Sequence, residues 1–260
     1  MLTILGNNSA GLKAKLFSFE NLVKLLNPAV FMVQETKLYR KGTIQLENFC
    51  IFEQLRETNE GGGLMTIVHK NLQPALIPTK NTSKMSINVL VVEATVRKSR
   101  IRFINSYGVQ ESSSTEDKVD YYSTLEEEIQ STLDAGCMLC WETDANAKFG
   151  PDYIKGDPHE ITNNGKLLLS LIQRYNLVIV NGTEKCSGII TRMKRKGKNI
   201  EKSVIDFFIV CQALFQMVTK MDIDEDRKLV LTKFNSNKGK TSVIESDHNP
   251  LKLELDISWK

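Results

Sequence analysis

Apolar and polar positions at the start of the chain predict a strand, a helix and a second strand. Leu2–Leu5 and Ala29–Val33 are apolar runs of strand length. The first run leads into a polar loop, Asn7–Gly11. From Leu12 to Leu26 apolar residues recur every three or four positions, as on one face of a helix, and Asn27-Pro28 follows at its end.

Residues 49–140 have a different pattern, in which short strands come first and one long helix follows. Apolar runs separated by turn residues predict a meandering, largely antiparallel sheet. An apolar stripe at helical spacing then predicts a helix over Thr115–Ala135, which leads into a short buried strand at Cys137–Cys140. The predicted strands before that helix are Phe49–Gln54, Gly63–Val68, Ile87–Val96 and Arg100–Ser106.

The second half of the chain repeats this succession of helix, strands and a hairpin with a basic tip. No linker, repeat or low-complexity segment divides the sequence, which favours one domain of two sheets packed face to face with helices outside. The predicted elements of this half are a helix over Asn164–Tyr175 and strands at Leu177–Asn181, at Val204–Val210 and around Leu229–Lys233 and Leu251–Leu255.

The composition is that of an ordinary globular protein and does not indicate a binding partner. Of the 260 residues 41% are hydrophobic and 25% charged, and no apolar run approaches the roughly 18 residues of a membrane-spanning helix. Five scattered cysteines argue against a disulfide framework and for a reducing compartment. Cys137 and Cys140 have the spacing of a metal-binding pair, but they lie in an apolar strand and no second pair completes a site.

The polarity changes abruptly after the Cys137–Cys140 strand. Asp144 and Asn146 follow two positions apart, so on an extended chain their side chains point to the same side. A carboxylate can orient and deprotonate a water, and a carboxamide can donate to a phosphoryl oxygen, which suits phosphate hydrolysis. The same pattern is also ordinary turn chemistry, in which Asp and Asn cap their own backbone. This segment alone leaves both interpretations open.

Three further polar positions accompany predicted strands. Glu35 follows the second strand, at the end where open α/β sheets place their sites, although a surface acid is the more ordinary interpretation. Asp206 interrupts an apolar strand, where an ionised carboxylate needs a cationic or metal partner. His248 lies beside Asp247 in the polar loop Ser246–Pro250, where we expect an exposed imidazole, although a lone histidine is more often structural.

Together these positions resemble the endonuclease/exonuclease/phosphatase superfamily, which includes DNase I, exonuclease III and the apurinic/apyrimidinic endonucleases. Segments 144–150, 164–168 and 181–183 are most similar to the apurinic-type endonuclease domain of non-LTR (LINE-like) retrotransposons. Val109 and Thr143 depart from the pattern, because relatives have proline and glycine there. The matching motifs are Asn8-x-x-Gly11-Leu12, Gln34-Glu35-Thr36, Asn105-x-Tyr107, Asp144-x-Asn146-Ala147, Ser203-x-Ile205-Asp206 and Ser246-Asp247-His248-x-Pro250.

The resemblance implies a four-layer α/β sandwich of the DNase I type and a metal-dependent phosphodiesterase. It implies one divalent-metal site in which Glu35 is the main ligand, helped by Asn8 and Asp247. Oxygen ligands of this kind suit Mg²⁺, with Mn²⁺ as a substitute. The expected reaction is in-line hydrolysis that nicks DNA and leaves a 3′-hydroxyl and a 5′-phosphate.

The resemblance also implies a role for each of the other motif residues. Asp144 would orient and activate the attacking water, and Asn146 would hold the phosphate. Tyr107 would contact the phosphate or the nucleophile. His248, held by Asp206, would stabilise charge on the phosphoryl oxygens; a buried acid and an imidazolium also satisfy each other on physical grounds.

The densest basic run of the chain lies where these relatives carry a DNA-contacting hairpin. A solvated hairpin tip is the ordinary interpretation of such a run, but basic clusters also bind phosphate backbones. The residues that we expect to contact DNA are Thr191, Arg192, Lys194, Arg195, Lys196, Lys198 and Ser203.

The resemblance finally implies a biological setting and leaves rival functions. Such domains head a polyprotein with a reverse transcriptase, so we expect an excised single domain, residues 1–260, that is monomeric alone. Its partners would be double-stranded DNA and that reverse transcriptase, in the nucleus, and its nick would prime target-primed reverse transcription. We expect no membrane partner. The rivals are a cellular abasic-site repair endonuclease, a phosphatase or sphingomyelinase of the same superfamily, and an inactive DNA-binding module.

Overall fold

A computed structural model describes residues 1–55, 62–81, 83–237 and 240–259 of the chain. Short 3-10 turns lie at Lys13–Lys15, Lys70–Leu72 and Lys84–Asn88. In chain order the other elements are β1 (Leu2–Asn8), α1 (Leu16–Leu26), β2 (Val30–Gln34), β3 (Phe49–Gln54), β4 (Leu64–His69), β5 (Ala75–Ile77), β6 (Val89–Val96), β7 (Ser99–Tyr107), α2 (Thr115–Asp134), β8 (Met138–Asp144), α3 (Asn163–Arg174), β9 (Leu177–Ile179), β10 (Cys186–Ser187), β11 (Arg192–Lys196), β12 (Asn199–Ser203), β13 (Asp206–Cys211), α4 (Gln212–Met217), β14 (Val218–Ile223), β15 (Thr232–Asn237), β16 (Lys240–Glu245) and β17 (Leu251–Leu255).

Two sheets form the centre of the described chain. The first has the strand order β10-β14-β17-β1-β2-β4-β3, and the second has the order β5-β6-β7-β8-β13-β9. Most neighbours are antiparallel, but three pairs are parallel: β1 with β2, β7 with β8, and β10 with β14. Strands β11 and β12, and strands β15 and β16, form separate hairpins.

Apolar side chains on both faces of each sheet create three layers of core. Residues such as Met32 and Phe208 pack between the two sheets. Trp141 packs on the outer face of the second sheet, with side chains of α2 and α3. Phe31 packs on the outer face of the first sheet and stacks on Phe19 of α1 at 5.3 Å. The arrangement is helix, sheet, sheet, helix, which confirms the predicted four-layer sandwich.

Strand β8 changes from apolar to acidic residues toward its carboxyl end. Cys140 packs between the sheets while Leu139 and Trp141 pack toward the helices, because alternate residues of a central strand face opposite layers. All five cysteines are free thiols. The apolar run ends at Glu142, and Asp144 is the last residue of the strand. None of the helices described is both long and apolar enough to cross a membrane.

Two element boundaries differ from the prediction because side chains intervene. Helix α1 begins at Leu16 instead of Leu12, since Lys15 leaves the helical conformation and its ammonium donates to the Ser9 carbonyl. Strand β13 begins at Asp206 instead of running through it, because the N–H groups of Ile205 and Asp206 donate to the Thr191 hydroxyl.

The sequence pattern also failed in the segment after β13. Helix α4 and strand β14 were not predicted. The six residues of α4 are too few to show a helical period, and apolar and polar residues do not alternate regularly along β14. The strand predicted around Leu229–Lys233 begins only at Thr232 and belongs to the β15–β16 hairpin.

Candidate active site

The predicted site residues lie where several strands end at one edge of the sandwich. Tyr107 and Asp144 are paired residues at the carboxyl ends of the parallel strands β7 and β8. Asp206 opens the antiparallel neighbour β13 and is paired with Asp144. Asn8 ends β1 and is paired with Gln34, the residue before Glu35.

Asp144 is buried and oriented by two donors. Its Oδ2 accepts a hydrogen bond of 2.7 Å from Asn8 Nδ2, and its Oδ1 accepts one of 3.2 Å from the Asn146 backbone N–H. Asn146 has a φ of +46°, so the chain turns sharply and does not continue as a strand. Asp144 and Asn146 are therefore linked by turn chemistry, through the Asn146 backbone, and not by strand alternation. The Asn146 amide donates to the Gly108 carbonyl at 2.8 Å.

The Asn8 amide presents its nitrogen, not its oxygen, to the carboxylates. Its Oδ1 accepts the Ala10 N–H at 2.8 Å, while Nδ2 donates to Asp144 and a further hydrogen bond helps to lower the pKa of Glu35. In this orientation Asn8 is a donor that stabilises carboxylates. Its amide oxygen, which the predicted metal-ligand role needs, is engaged elsewhere.

His248 and Asp206 form a buried ion pair. The His248 Nδ1 lies 2.9 Å and 3.0 Å from the two carboxylate oxygens of Asp206. His248 is 4% exposed, so the expected exposed imidazole is corrected to a buried one. Burial lowers the pKa of His248, but the charge and hydrogen bond of Asp206 outweigh it and raise the pKa to about 9. The imidazole is therefore a cation at neutral pH.

The backbone around Asp206 is fixed from both sides. The Thr191 hydroxyl accepts the Asp206 N–H at 3.0 Å, and Asn181 Nδ2 donates to the Asp206 carbonyl at 3.1 Å. Thr191 is completely buried, so its side chain holds the start of β13 and does not face a DNA surface. Ser203 is also buried, at 5% exposure. These two positions are thus placed in the scaffold of the site rather than on its surface.

The carboxylate of Asp144 is tuned for proton exchange near neutrality. Burial and the negative charge of Asp206 raise the pKa of Asp144 to about 7, although His248 and the Asn8 hydrogen bond oppose the shift. His248 Nε2, the nitrogen that does not contact Asp206, lies 3.9 Å from Asp144 Oδ2 and 3.9 Å from Asp247 Oδ1. The free imidazolium N–H therefore lies between two carboxylates.

Glu35 is the centre of a second group of contacts. Its Oε1 accepts the Tyr107 hydroxyl at 2.7 Å, and its Oε2 lies 2.9 Å from Lys37 Nζ. Burial raises the pKa of Glu35, but these two partners outweigh burial and hold the pKa below its usual range. Burial together with the charges of Asp144 and Glu35 raises the pKa of Tyr107, so its hydroxyl remains a donor. Lys37 was not predicted, because one lysine after the motif is unremarkable in a chain with 34 lysines and arginines.

The basic hairpin divides into a bound root and an exposed tip. Arg192 binds Asp247 through Nε and Nη2, each 2.9 Å from Oδ2. Lys196 pairs with Glu201 at 2.6 Å. The predicted DNA-contacting side chains that are exposed on the hairpin are Lys194, Arg195, Lys196 and Lys198.

A buried polar cluster below the site was missed from the sequence. Gln34 donates to the Glu142 carboxyl and, at 2.7 Å, to Asn105 Oδ1. Burial and the charge of Asp206 raise the pKa of Glu142 well above its usual range, so this carboxyl is neutral. Gly6 faces it, and a Cβ there would lie 2.5 Å from the Glu142 side chain. The abrupt Glu142 after an apolar strand was the available signal.

The two departures from the motif pattern are accommodated. Val109 is buried, and its carbonyl accepts a hydrogen bond of 2.8 Å from Asn164 Nδ2. The Thr143 hydroxyl is buried and accepts one of 2.9 Å from the Ser106 hydroxyl. Both positions are satisfied by neighbours outside the catalytic group.

The donor set fits a metal ion. Among the described residues, ligand atoms of Asp144, Asp206 and His248 lie within 4.8 Å of one another. Asp206 and His248 already satisfy each other. The Asp247 carboxylate is bound by Arg192, and the Glu35 carboxylate by Lys37, Tyr107 and Asn8. Carboxylate oxygens favour a hard divalent cation.

Comparison with known proteins identifies the fold. No protein-family profile matches the sequence, and no curated protein matches it. Among solved structures, the endonuclease domain of TRAS1, a telomere-specific non-LTR retrotransposon, has a TM-score of 0.74 at 17% identity, covering 99% of this chain and 100% of that one. An AP endonuclease from Archaeoglobus fulgidus has a TM-score of 0.73 at 16% identity, with 99% and 100% covered. A mannosyl-6-phosphatase from Bacteroides thetaiotaomicron has 0.66 at 12%, with 98% and 99% covered.

These likenesses show that the chain shares the fold of these proteins, which is the DNase I-like fold that the resemblance implied. The same fold occurs in proteins described as nucleases and as a sugar phosphatase. The substrate must therefore be argued from the site and its surface.

Proposed function

We propose that this chain is a metal-dependent DNA endonuclease that nicks a duplex and leaves a 3′-hydroxyl. The observation that carries the proposal is the meeting of a buried carboxylate of raised pKa, Asp144, with the buried imidazolium of His248 at 3.9 Å. A general base and a fixed cation side by side suit the attack of water on a phosphodiester. The exposed basic hairpin beside them suits a polyanionic substrate.

Each residue has a step in the reaction that its contacts support. Asp144, oriented through both oxygens, takes a proton from the attacking water. The His248 Nε2–H donates to a phosphoryl oxygen and stabilises its growing negative charge. Asp206 keeps the imidazole protonated and oriented through Nδ1. Asn146 and Tyr107 hold the phosphate from the Glu35 side of the site.

The metal belongs to the same site. We propose that Glu35 and Asp247 hold a divalent cation, with Mg²⁺ as the physiological ion and Mn²⁺ as a substitute. When bound, the cation supplies electrostatic stabilisation of the phosphoryl oxygens and of the leaving group. Asn8 supports it indirectly, because its amide N–H bonds keep the carboxylates ionised and in place.

The proposed setting is the endonuclease domain of a non-LTR retrotransposon. Similarity of fold to the TRAS1 endonuclease domain over 99% of this chain supports it. In that setting the nick primes target-primed reverse transcription in the nucleus, beside the reverse transcriptase of the same polyprotein, and the isolated domain is a monomer.

Relaxation of a supercoiled plasmid tests the proposal. Wild-type protein with Mg²⁺ should convert it to the open circle, whereas EDTA or His248→Ala should abolish nicking. Labelled product ends should be extended by a DNA polymerase without phosphatase treatment, as 3′-hydroxyl ends are. A folded wild-type protein that leaves the plasmid supercoiled would refute the assignment.

An abasic-site repair endonuclease is the second candidate, and similarity to an AP endonuclease over the whole chain favours it. Duplexes with and without one abasic site distinguish the two. Faster cleavage of the abasic duplex by several orders of magnitude would support repair, and equal rates would support the retrotransposon role. Release of phosphate from a sugar phosphate at a comparable rate would instead indicate a phosphatase.

A further inference from the structure

The root of the basic hairpin is bound directly to the segment that carries Asp247 and His248. The Met193 N–H donates to the Asp247 carbonyl at 2.7 Å, and the Asn249 N–H donates to the Thr191 carbonyl at 2.7 Å. Arg192 and His248 form a β-bridge between these hydrogen bonds. Strand β11 of the hairpin is therefore paired with the segment that carries Asp247 and His248, so a displacement of the hairpin root moves that segment as well.

Arg192 differs from Lys194, which lies on the same face of the strand, in binding a carboxylate of the catalytic segment. Its guanidinium places Nε and Nη2 2.9 Å from a single oxygen, Asp247 Oδ2. Lys194, two positions along the same strand, is exposed. The Arg192 and Asp247 side chains are 27% and 28% exposed, so the ion pair lies at the boundary between the site and the solvent.

This ion pair occupies a carboxylate that the proposed metal site needs. The other oxygen, Asp247 Oδ1, lies 3.9 Å from His248 Nε2. A divalent cation on Asp247 would stand next to a guanidinium, and two such positive charges repel each other in a partly buried site. The guanidinium at the mouth of the site is also well placed for a phosphate, which arginine binds with the same fork geometry.

We propose that Arg192 is a positioning residue that holds Asp247 in the free protein and transfers to a DNA phosphate when Asp247 binds the metal ion. The inference rests on the proposed function, because it assumes a metal ion on Asp247 and DNA on the hairpin. Its consequence is that DNA and metal binding assist each other. The hairpin root thus has a role separate from that of the exposed tip, which contacts the duplex backbone.

Binding of Mn²⁺ measured by electron paramagnetic resonance tests this without catalysis. Arg192→Gln removes the competing cation and should bind Mn²⁺ about fivefold more tightly than wild type, the factor expected for a half-exposed ion pair. Lys194→Gln removes the same charge from the exposed neighbour and should leave the affinity unchanged. Arg192→Lys keeps the charge but loses the fork and should lie between wild type and Arg192→Gln.

A second arm tests the link to DNA. Saturating amounts of a nuclease-resistant phosphorothioate duplex should tighten Mn²⁺ binding by wild type and by Lys194→Gln, but not by Arg192→Gln. A purely structural Arg192 predicts the opposite sign in the first arm, namely weaker Mn²⁺ binding by the glutamine variant. That result, or equal affinities for the two glutamine variants, would overturn the inference while leaving the nuclease assignment intact. A wild-type protein that binds no Mn²⁺ would overturn both.

Discussion

Asp206→Asn should produce a catalytic defect whose size depends on pH. The substitution keeps the shape of the side chain but removes the charge that holds His248 protonated at 2.9 Å and 3.0 Å. The pKa of His248 should then fall from about 9 toward its ordinary 6.5, because burial lowers it and only the more distant carboxylates of Asp144 and Asp247 still oppose burial. The substitution therefore changes the protonation state of a residue that it does not replace.

The magnitude follows from these values. At pH 8 an imidazole of pKa about 9 is roughly 90% protonated, whereas one of pKa 6.5 is roughly 3% protonated. If only the imidazolium form is active, the wild-type rate should exceed the variant rate by up to about 30-fold at pH 8, and by less than about twofold at pH 6. The same substitution lowers the pKa of Asp144, because it removes the Asp206 charge that helps to raise it. The Asp144 base is then more fully ionised in the variant, above all at low pH, which makes the rate ratio at pH 6 smaller still.

Single-turnover nicking of a plasmid at several pH values measures this ratio. The protein has only three histidines, so ¹⁵N-detected imidazole titration of the metal-free protein can follow His248 directly. In a His248→Gln background, Asp206→Asn should have little further effect on the rate, since the two residues act as one unit. A rate ratio that stays constant between pH 6 and pH 8 would refute the reasoning and would reduce Asp206 to an orienting role.

Three further outcomes concern stability, measured by urea denaturation of the metal-free protein. Thr191→Val should cost about 2 kcal/mol, because two buried N–H groups lose their acceptor, whereas Thr191→Ser should stay near wild type. The pKa of His248 is higher in the folded protein than in the unfolded chain, so protonation of His248 stabilises the fold by up to about 3 kcal/mol. This stabilisation is complete below pH 6.5 and is lost as pH rises through about 9. His248→Gln should therefore flatten the decline in stability over that range. Gly6→Ala should cost about 1–3 kcal/mol, and Glu142→Ala in the same chain should cost less than in wild type, since the clash at 2.5 Å is relieved. Additive costs of Gly6→Ala and Glu142→Ala would contradict that contact.

The layered fold was predictable because its signals are local. Apolar runs of strand length and one long amphipathic helix give the order of elements, and the absence of a linker favours a single packed unit. The short elements after β13 were not predictable. Helix α4 is too short to show a helical period, and apolar and polar residues do not alternate regularly along β14. The start of α1 at Leu16 depends on a buried Lys15 that binds a loop carbonyl, and no sequence period encodes that contact.

The site was predictable in its residue types but not in its contacts. Asn8 and Asp144 are 136 positions apart, and only their resemblance to ordered motifs brought them into one hypothesis. What the pattern could not show is which atoms meet. The Asn8 amide faces the site with its nitrogen, Thr191 is buried, and Asp247 is already engaged by Arg192. These three contacts depend on how distant segments pack against one another, so they cannot be inferred from the order of residue types.

The position of β17 makes completion of the first sheet a late step in folding. This strand lies inside the first sheet, between β14 and β1, so that Leu2 pairs with Leu255. Strands β14 and β1, and the loop that carries His248, reach their final arrangement only after residues 251–255 have joined the sheet. Pairing of the two ends of the sequence is slow to form, because a long loop must close first. A chain that has been made only as far as residue 245 therefore carries Asp144 without its imidazolium partner, and β1 and β14 lack the strand that lies between them.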